Sequence, residues 1–292
     1  MAVTRLAFKL NDGDNYIDIA KQLSIHHRTL IRQKQTFTVL GGMIVDNVDG
    51  ESTGGSASFD VATAPNTWYV RAAVNRGFRA WKQMRSKTIE ANADSGKTAV
   101  GANADFKVLL NSASISSYIP AIATGTPGSR PSLASGEWTA ASVKQEDGQA
   151  KQFHIVGNHS GPRYGLMKGW VQTRGTPQDQ NQPLMPDLDS DGTLDYESDF
   201  LGNLYDDDQD DRREQLVFEE NDGKPFHMTN TYSDIDNGNS LQLQCFGYLS
   251  ANNPTQMIPG FDALCGLVKI RVDSAASSPI LFLDVESNGR GF

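Results

Sequence analysis

Short apolar or alternating runs recur along the 292 residues, with turn residues between them. Successive side chains of a strand point to opposite faces, so such runs predict β-strands with one buried face. No repeat of fixed period connects the runs, which argues against a propeller or a solenoid. The pattern therefore predicts an all-β antiparallel sandwich, with 1–292 as one domain. Ten runs fit the pattern: Arg5–Leu10, Gln35–Val45, Ser56–Val61, Phe106–Asn111, Phe153–Val156, Gly165–Thr173, Gln215–Glu219, Leu241–Leu249, Leu264–Val272 and Ile280–Val285.

The runs are separated by long segments rich in Gly, Pro, Ser, Asn and Gln, such as Asp46–Gly55, Gly125–Gly136 and Arg174–Pro186. These residues favour turns and predict long surface loops. Only two cysteines, Cys245 and Cys265, are present, which is too few for a disulfide framework. The first residues lack the apolar core of a secretory leader, and no stretch approaches the roughly 20 apolar residues that span a bilayer. We therefore expect a chain without a membrane partner.

The region 66–89 carries the strongest helical pattern. Asn66 or Thr67 follows Pro65 and can cap the helix, and no proline interrupts the next two dozen residues. A second, shorter helical pattern covers Tyr16–Leu23. At about 100° per residue, one apolar stripe forms along the longer helix. The residues of the stripe are Val70, Val74, Gly77, Phe78, Trp81 and Met84.

The rest of this helix is cationic, and no acidic residue lies between Val70 and Ile89. Such a face can bind nucleic-acid phosphates with salt-dependent, sequence-independent affinity. It can also pair with an acidic segment of a neighbouring subunit, or be a solvated face whose Arg stems pack along the protein. A membrane surface is a further partner for a basic helix, but an apolar stripe buried in the core argues against it. The candidate nucleic-acid-binding residues are Arg71, Arg76, Arg79, Lys82, Arg85 and Lys87.

Negative charge is concentrated in 187–222, which holds fifteen carboxylates and two arginines, while the whole chain has a net charge of −9. From Asp187, oxygen ligands alternate and a glycine occupies the sixth position, as in the first nine positions of an EF-hand or dockerin-type loop. The twelfth position, where such a loop has a bidentate carboxylate, is Ser198, flanked by Glu197 and Asp199. The alternative is a solvated acidic loop. The candidate Ca²⁺ ligands are Asp187, Asp189, Asp191, Thr193 through its carbonyl, Asp195 and Asp199.

A second acidic run, 206–211, lacks the glycine and the alternation, so it is interpreted as a solvated surface within an acidic loop insertion over 174–214. Catalytic patterns are absent from the sequence. The histidines have no metal-binding spacing with the cysteines, and Gly96-Lys97 lacks the upstream glycine of a phosphate loop. Nothing selects a pair of carboxylates for glycoside hydrolysis. We therefore expect a protein that is not an enzyme.

Two stretches of the chain, in this layout, resemble capsid proteins of small tailless icosahedral viruses with circular single-stranded DNA genomes. Pro65-Asn66-Thr67-Trp68 leads into the Arg-rich helix, and the late run Pro259-Gly260-Phe261 is followed by Cys265-Gly266-Leu267 and two terminal strands. The resemblance implies a single jelly roll of two antiparallel sheets with the basic helix embedded in it. It also implies a virion protein whose many copies self-assemble into an icosahedral shell.

Capsid proteins of this kind often begin with a long basic arm, whereas 1–20 contain only Arg5 and Lys9 against three Asp. The resemblance then implies that the basic helix binds the packaged nucleic acid, as non-specific single-stranded DNA, and that the acidic segment faces outward. The alternative class is a calcium-dependent extracellular β-sandwich that binds carbohydrate or another surface ligand. That alternative accounts for the acidic loop but leaves the cationic helix unexplained.

Overall fold

A computed structural model describes 3–46, 56–94, 105–112, 114, 118–122, 138, 140–144, 150–159, 161–173, 177–179, 182–183, 241–250, 252–274, 279–286 and 291. Its strands and helices follow one another as β1 (Val3–Lys9), β2 (Gly13–Asp18), α1 (Ile19–His27), β3 (Thr36–Val45), β4 (Ala57–Thr63), α2 (Trp68–Asp94), β5 (Ser142–Lys144), β6 (Ala150–His154), β7 (Arg163–Gly165), α3 (Leu166–Thr173), β8 (Pro177–Asp179), β9 (Gln182–Pro183), β10 (Gln242–Leu249), β11 (Thr255–Ile258), β12 (Phe261–Leu264), β13 (Leu267–Ser274) and β14 (Ile280–Glu286).

The chain is mostly antiparallel β-structure with few helices, which confirms the predicted main architecture. It divides into two compact units. Unit 1 comprises Met1–Asn66, Asp105–Ala140 and Leu241–Phe292, and unit 2 comprises Thr67–Ala104 and Ala141–Ser240. The single domain over 1–292 stays a prediction.

Unit 1 contains two large sheets. One has the strand order β1-β14-β3-β11, with β12 also paired to β3, and the other has the order β10-β4-β13-β2. Every pairing in the two sheets is antiparallel. Each of these pairings joins a strand from the first 63 residues to a strand after residue 241. The strand pairings of both sheets therefore join parts of the chain that are far apart in sequence.

The inward-facing side chains of both sheets form one continuous hydrophobic cluster in unit 1. Strand alternation produces it, since β1 and β14 bury every second residue along most of their length. Complete burial of one such side chain contributes about 1.5–3 kcal/mol. Its members include Phe8, Ile44 and Leu283 from the sheet that contains β1, and Phe59, Val61 and Ile270 from the other.

The strand predicted over Leu264–Val272 is interrupted by a turn. Cys265 and Gly266 have positive φ angles of 57° and 69°, which ends β12 and starts β13. The left-handed region costs an ordinary residue energy and glycine almost none, so Gly266 suits the second position. Both cysteines are free; Cys265 is buried and Cys245 is half-buried in β10.

Two other strand predictions were wrong. Gly165–Thr173 is mostly α3, because Leu166, Met167 and Trp170 recur at helical as well as strand-like spacing. Over 106–111 the chain is irregular, although most of its side chains are buried, including those of Phe106, Lys107 and Val108. The side-chain amide of Gln33 replaces a neighbouring strand there: Gln33 Nε2 donates to Val108 O at 3.0 Å, and Val108 N donates to Gln33 Oε1 at 2.6 Å.

The short helix predicted over Tyr16–Leu23 starts too early, since β2 extends to Asp18 and α1 begins at Ile19. Asp18 caps α1, accepting a hydrogen bond from Lys21 N at 3.0 Å. The strand predicted over Gln215–Glu219 lies outside the described residues.

Unit 2 contains α2, α3, a three-stranded sheet in the order β5-β6-β7, and the β8–β9 pair. β6 and β7 are parallel, whereas β5 and β6 are antiparallel. The helix predicted over 66–89 is present as α2, Trp68–Asp94.

Candidate nucleic-acid interface

Residues just before Trp68 set the start of α2. Val70 N donates to Thr67 Oγ1 at 3.4 Å, and Arg71 N donates to Thr67 O at 3.1 Å. Of the two caps predicted from the sequence, Asn66 and Thr67, it is therefore Thr67 that caps α2. Its hydroxyl pairs the backbone N–H of Val70, which has no partner within the helix.

Helix α2 packs on α3 through a few specific contacts. Tyr69 is buried, its hydroxyl donates to Met167 O at 3.3 Å, and its ring lies edge-on to Trp170 with centroids 6.3 Å apart. Burial raises the pKa of the Tyr69 hydroxyl above its ordinary value. A Cβ at Gly77 would lie 2.5 Å from Leu166 Cδ2, so the absence of a side chain allows the close approach of the two helices. Of the predicted apolar stripe, Val70, Val74 and Gly77 are buried, whereas Phe78, Trp81 and Met84 are half-buried.

The six predicted nucleic-acid-binding residues all lie on α2, but the structure separates them into two groups. Arg79, Lys82 and Lys87 are exposed, and the described part of the chain gives them no ion-pair partner. The other three, Arg71, Arg76 and Arg85, are half-buried and engaged.

The contacts of the engaged arginines explain this separation. Arg76 Nη1 donates to Gly169 O at 3.5 Å, at the long limit for a hydrogen bond. The Arg85 guanidinium lies 5.4 Å from the centroid of the Trp81 ring, which itself stacks on Phe78 with centroids 6.2 Å apart. Cation–π contact of this kind holds the Arg85 stem along the helix. The accessible cationic surface of α2 is therefore centred on Arg79 and Lys82.

One further residue belongs to this surface but is not among the six predicted from the sequence. Trp68, the first residue of α2, has 52% of its surface exposed. In the sequence Trp68 stands in the Pro65-Asn66-Thr67-Trp68 lead into the helix, and the helical wheel places it on the same face as Arg79. Position on the wheel was therefore the signal that could have identified it.

A buried polar cluster in unit 1 was also missed. Asp18 Oδ2 accepts from Trp138 Nε1 at 2.7 Å and from Gln33 Nε2 at 3.3 Å. The Lys107 ammonium lies 4.7 Å from the Trp138 ring centroid. Burial raises the pKa of Asp18 to about 6, opposed by its hydrogen bonds with Lys21 N and Trp138. Because these groups come from four distant places in the chain, spacing alone could not reveal the cluster.

Unit 2 has a buried histidine. His154 Nε2 lies 3.0 Å from Asn158 O, and its Nδ1 has no hydrogen-bond partner among the described residues. The pKa of His154 is lowered to about 4, mainly by burial and in smaller part by the nearby His159 and Arg163. The ring of His159 stacks on Tyr164 with centroids 4.3 Å apart. The lowered pKa therefore favours the neutral ring of His154, which in the described part of unit 2 is held by a hydrogen bond at Nε2.

The predicted calcium ligands, from Asp187 to Asp199, and the acidic run 206–211 lie outside the described residues. Within the part that the structure describes, no group of three or more His, Cys, Asp or Glu side chains is placed to hold a metal ion. None of the described helices is both long enough and apolar enough to cross a membrane.

Comparison with known proteins gives no match, whether to a family model, to the sequence of a curated protein or to a solved structure. A functional assignment for this chain therefore depends on its strand order and on the chemistry of α2.

Proposed function

We propose that this protein is a viral capsid protein. In this proposal unit 1 is a single jelly roll, many copies assemble into an icosahedral shell, and α2 binds the packaged nucleic acid. The observation that carries the proposal is the strand order of unit 1.

Among its described residues, unit 1 has eight strand positions: β1, β2, β3, β4, β10, β11 with β12, β13 and β14. Numbered one to eight along the chain, they give the sheet orders 1-8-3-6 and 5-4-7-2. A jelly roll folds the two halves of eight strands against each other, so that strand 1 pairs with 8, 2 with 7, 3 with 6 and 4 with 5. All four pairings occur here. Capsid proteins, lectins and cupins share this architecture.

The cations of α2 favour the capsid class among these. Arg79 and Lys82 are exposed on a helix without an acidic residue between Val70 and Ile89. Like charges three and four residues apart destabilise a helix by a few tenths of a kcal/mol per pair. Binding of a polyanion neutralises that repulsion and releases the counterions of its phosphates. Such binding does not depend on the base sequence. Packaging of a genome requires this kind of binding.

Exposed apolar side chains on unit 1 support association between copies. Phe246 and Tyr248 of β10 have 51% and 62% of their surfaces exposed, with ring centroids 4.8 Å apart. Leu243 and Met257 are exposed as well. Grouped apolar surface of this kind often marks a protein–protein contact. We accordingly propose a homo-oligomer located in the virion, without an enzymatic activity.

Assembly is tested by purifying the full chain and examining it by light scattering and electron microscopy. Closed shells of uniform diameter are expected. A monodisperse monomer at high protein concentration, with and without calcium, would contradict the proposal.

The role of α2 is tested by the double variant Arg79→Gln/Lys82→Gln. We expect shells with less nucleic acid, measured as the ratio of absorbance at 260 and 280 nm. The control is Lys9→Gln/Arg32→Gln, which removes the same charge from exposed positions of unit 1. An equal loss of nucleic acid in both variants would show that net charge, rather than the helix, determines packaging.

A further inference from the structure

Strand β10 lies at one edge of its sheet, because in the described part of the chain it pairs with β4 and with no second strand. Edge strands expose a row of backbone N–H and C=O groups that can pair with another chain. Natural proteins usually blunt such an edge with charged side chains or proline. β10, Gln242–Leu249, contains neither, and this composition is typical of segments that form intermolecular sheets.

The pairing with β4 shows which backbone groups face the open edge. After a register shift between Leu243 and Cys245, the second half of β10 pairs regularly with β4. Tyr248 N donates to Oε1 of Gln256 at 3.0 Å, so this N–H points away from β4. Backbone groups of an antiparallel strand point alternately to its two sides, so the N–H of Phe246 faces the open edge as well.

Gln256 reaches this edge from the other large sheet of unit 1. In the β11–β3 pairing Gln256 lies opposite Ile44, which belongs to the hydrophobic core. Directly opposite residues share one face of a sheet, so the Gln256 side chain extends towards the interior of the sandwich. Its amide therefore connects the two strands at the open side of the sandwich, β11 in one sheet and β10 in the other.

Gly247 leaves the space that the Gln256 amide occupies. A Cβ at Gly247 would clash with the oxygen, carbon and nitrogen of that amide. Any side chain at this position would therefore push Gln256 away from Tyr248 N. The hydrogen bond at the edge thus depends on two residues, an amide that supplies the acceptor and a glycine that admits it.

We propose that Gln256 is a guard residue that prevents β10 from pairing with a strand of another chain. Its amide oxygen takes the place on Tyr248 N that a backbone carbonyl of an added strand would occupy. The strand excluded is β10 of a second copy, because every copy carries this strand and two such strands bring no like charges together. The inference goes beyond the proposed function and holds whether or not the chain builds a shell.

The variant Gln256→Leu tests the guard in the full chain, since leucine is similar in size but offers no acceptor. We expect hydrogen exchange of β10, measured by mass spectrometry at low protein concentration, to become roughly fivefold faster than in the wild type. At high concentration the variant should form aggregates that bind thioflavin T. Gln242→Leu makes the same chemical change at an exposed position of β10 and should behave like the wild type. Gln256→Glu keeps an acceptor at the edge and should do so too.

Gly247→Ala opens the edge by a second route, since it displaces the amide and leaves Gln256 in the sequence. It should exchange and aggregate like Gln256→Leu, and it decides the question if circular dichroism shows that Gln256→Leu does not fold. Exchange and solubility equal to those of the wild type in the folded variants would overturn the proposal. It would also be overturned if aggregates form in which β10 exchanges as fast as in the dispersed chain, because association would then leave the backbone edge unpaired.

Discussion

The indole N–H of Trp138 donates a 2.7 Å hydrogen bond to Oδ2 of Asp18, a residue 120 positions earlier in the chain. The same carboxylate caps α1. One buried side chain therefore holds together the start of a helix and a distant segment of unit 1. This arrangement buries a carboxylate, and burial disfavours its charged form, so the pKa of Asp18 is raised.

Asp18 gives unit 1 a pH dependence of definite sign. Its pKa rises from 3.8 to about 6 in the folded protein, so folding takes up a proton between these values. Protonation of Asp18 therefore contributes up to about 3 kcal/mol to the free energy of unfolding. This contribution is complete below about pH 4 and is lost as pH rises through 6. Asp18→Asn keeps the cap and abolishes the titration. We expect urea unfolding of this variant to vary less between pH 5 and 7 than that of the wild type. Asp273→Asn, at an exposed position, should leave the wild-type dependence intact.

His154 gives unit 2 the opposite dependence. Its pKa falls from 6.5 to about 4 on folding, so its contribution to stability is complete above pH 6.5 and is lost as pH falls towards 4. Acid should therefore loosen unit 2 while Asp18 favours unit 1. Hydrogen exchange between pH 4.5 and 7 can follow the two units separately, and protection in β6 and α3 should decrease first. Equal loss of protection in both units would contradict this prediction.

Gly77 and Leu166 should be energetically coupled. Gly77→Ala favours the helix by up to about 1 kcal/mol but places a Cβ against the fully buried Leu166, where overpacking typically costs about 1–3 kcal/mol. We expect net destabilisation. In a Leu166→Ala background the same substitution fills vacated space and should become stabilising. Thermal unfolding of the two single variants and the double variant measures the coupling. If the changes in the free energy of unfolding of the single variants simply add up in the double variant, the close contact is refuted.

Calcium binding by 187–199 stays a prediction from the sequence. If the loop binds Ca²⁺, an ion concentration of 100 times Kd stabilises the native state by about 2.7 kcal/mol. Chelation should then lower Tm by several degrees, and Asp189→Asn/Asp191→Asn should remove the effect. The control Asp207→Asn/Asp208→Asn changes the same charge in the neighbouring acidic run. Identical melting curves with and without chelator would exclude the site.

How far sequence predicts this structure depends on how local each signal is. Alternation located most strands of unit 1, and the absence of proline with a Thr cap located α2. At Val108 alternation predicted burial correctly but not a strand, because a side-chain amide satisfies the backbone. α3 was missed because a short apolar run fits both periods.

The candidate site shows the same division. The cations of α2 were visible as a sequence pattern, yet their separation into exposed and engaged groups depends on Gly169 and on the Trp81 ring. Gly169 belongs to α3, which the sequence did not predict as a helix. The environment of Asp18 depends on Gln33, Lys107 and Trp138, which only the folded chain brings together.

The exclusive pairing of early strands with late ones has a consequence for biosynthesis. While the ribosome has made only the first 241 residues, β1 to β4 have none of their partners in the two large sheets. Edges and apolar faces of nascent strands invite association with other chains. The strands after residue 241 therefore determine when either sheet can close, and a chain truncated before them should be insoluble rather than a smaller folded domain.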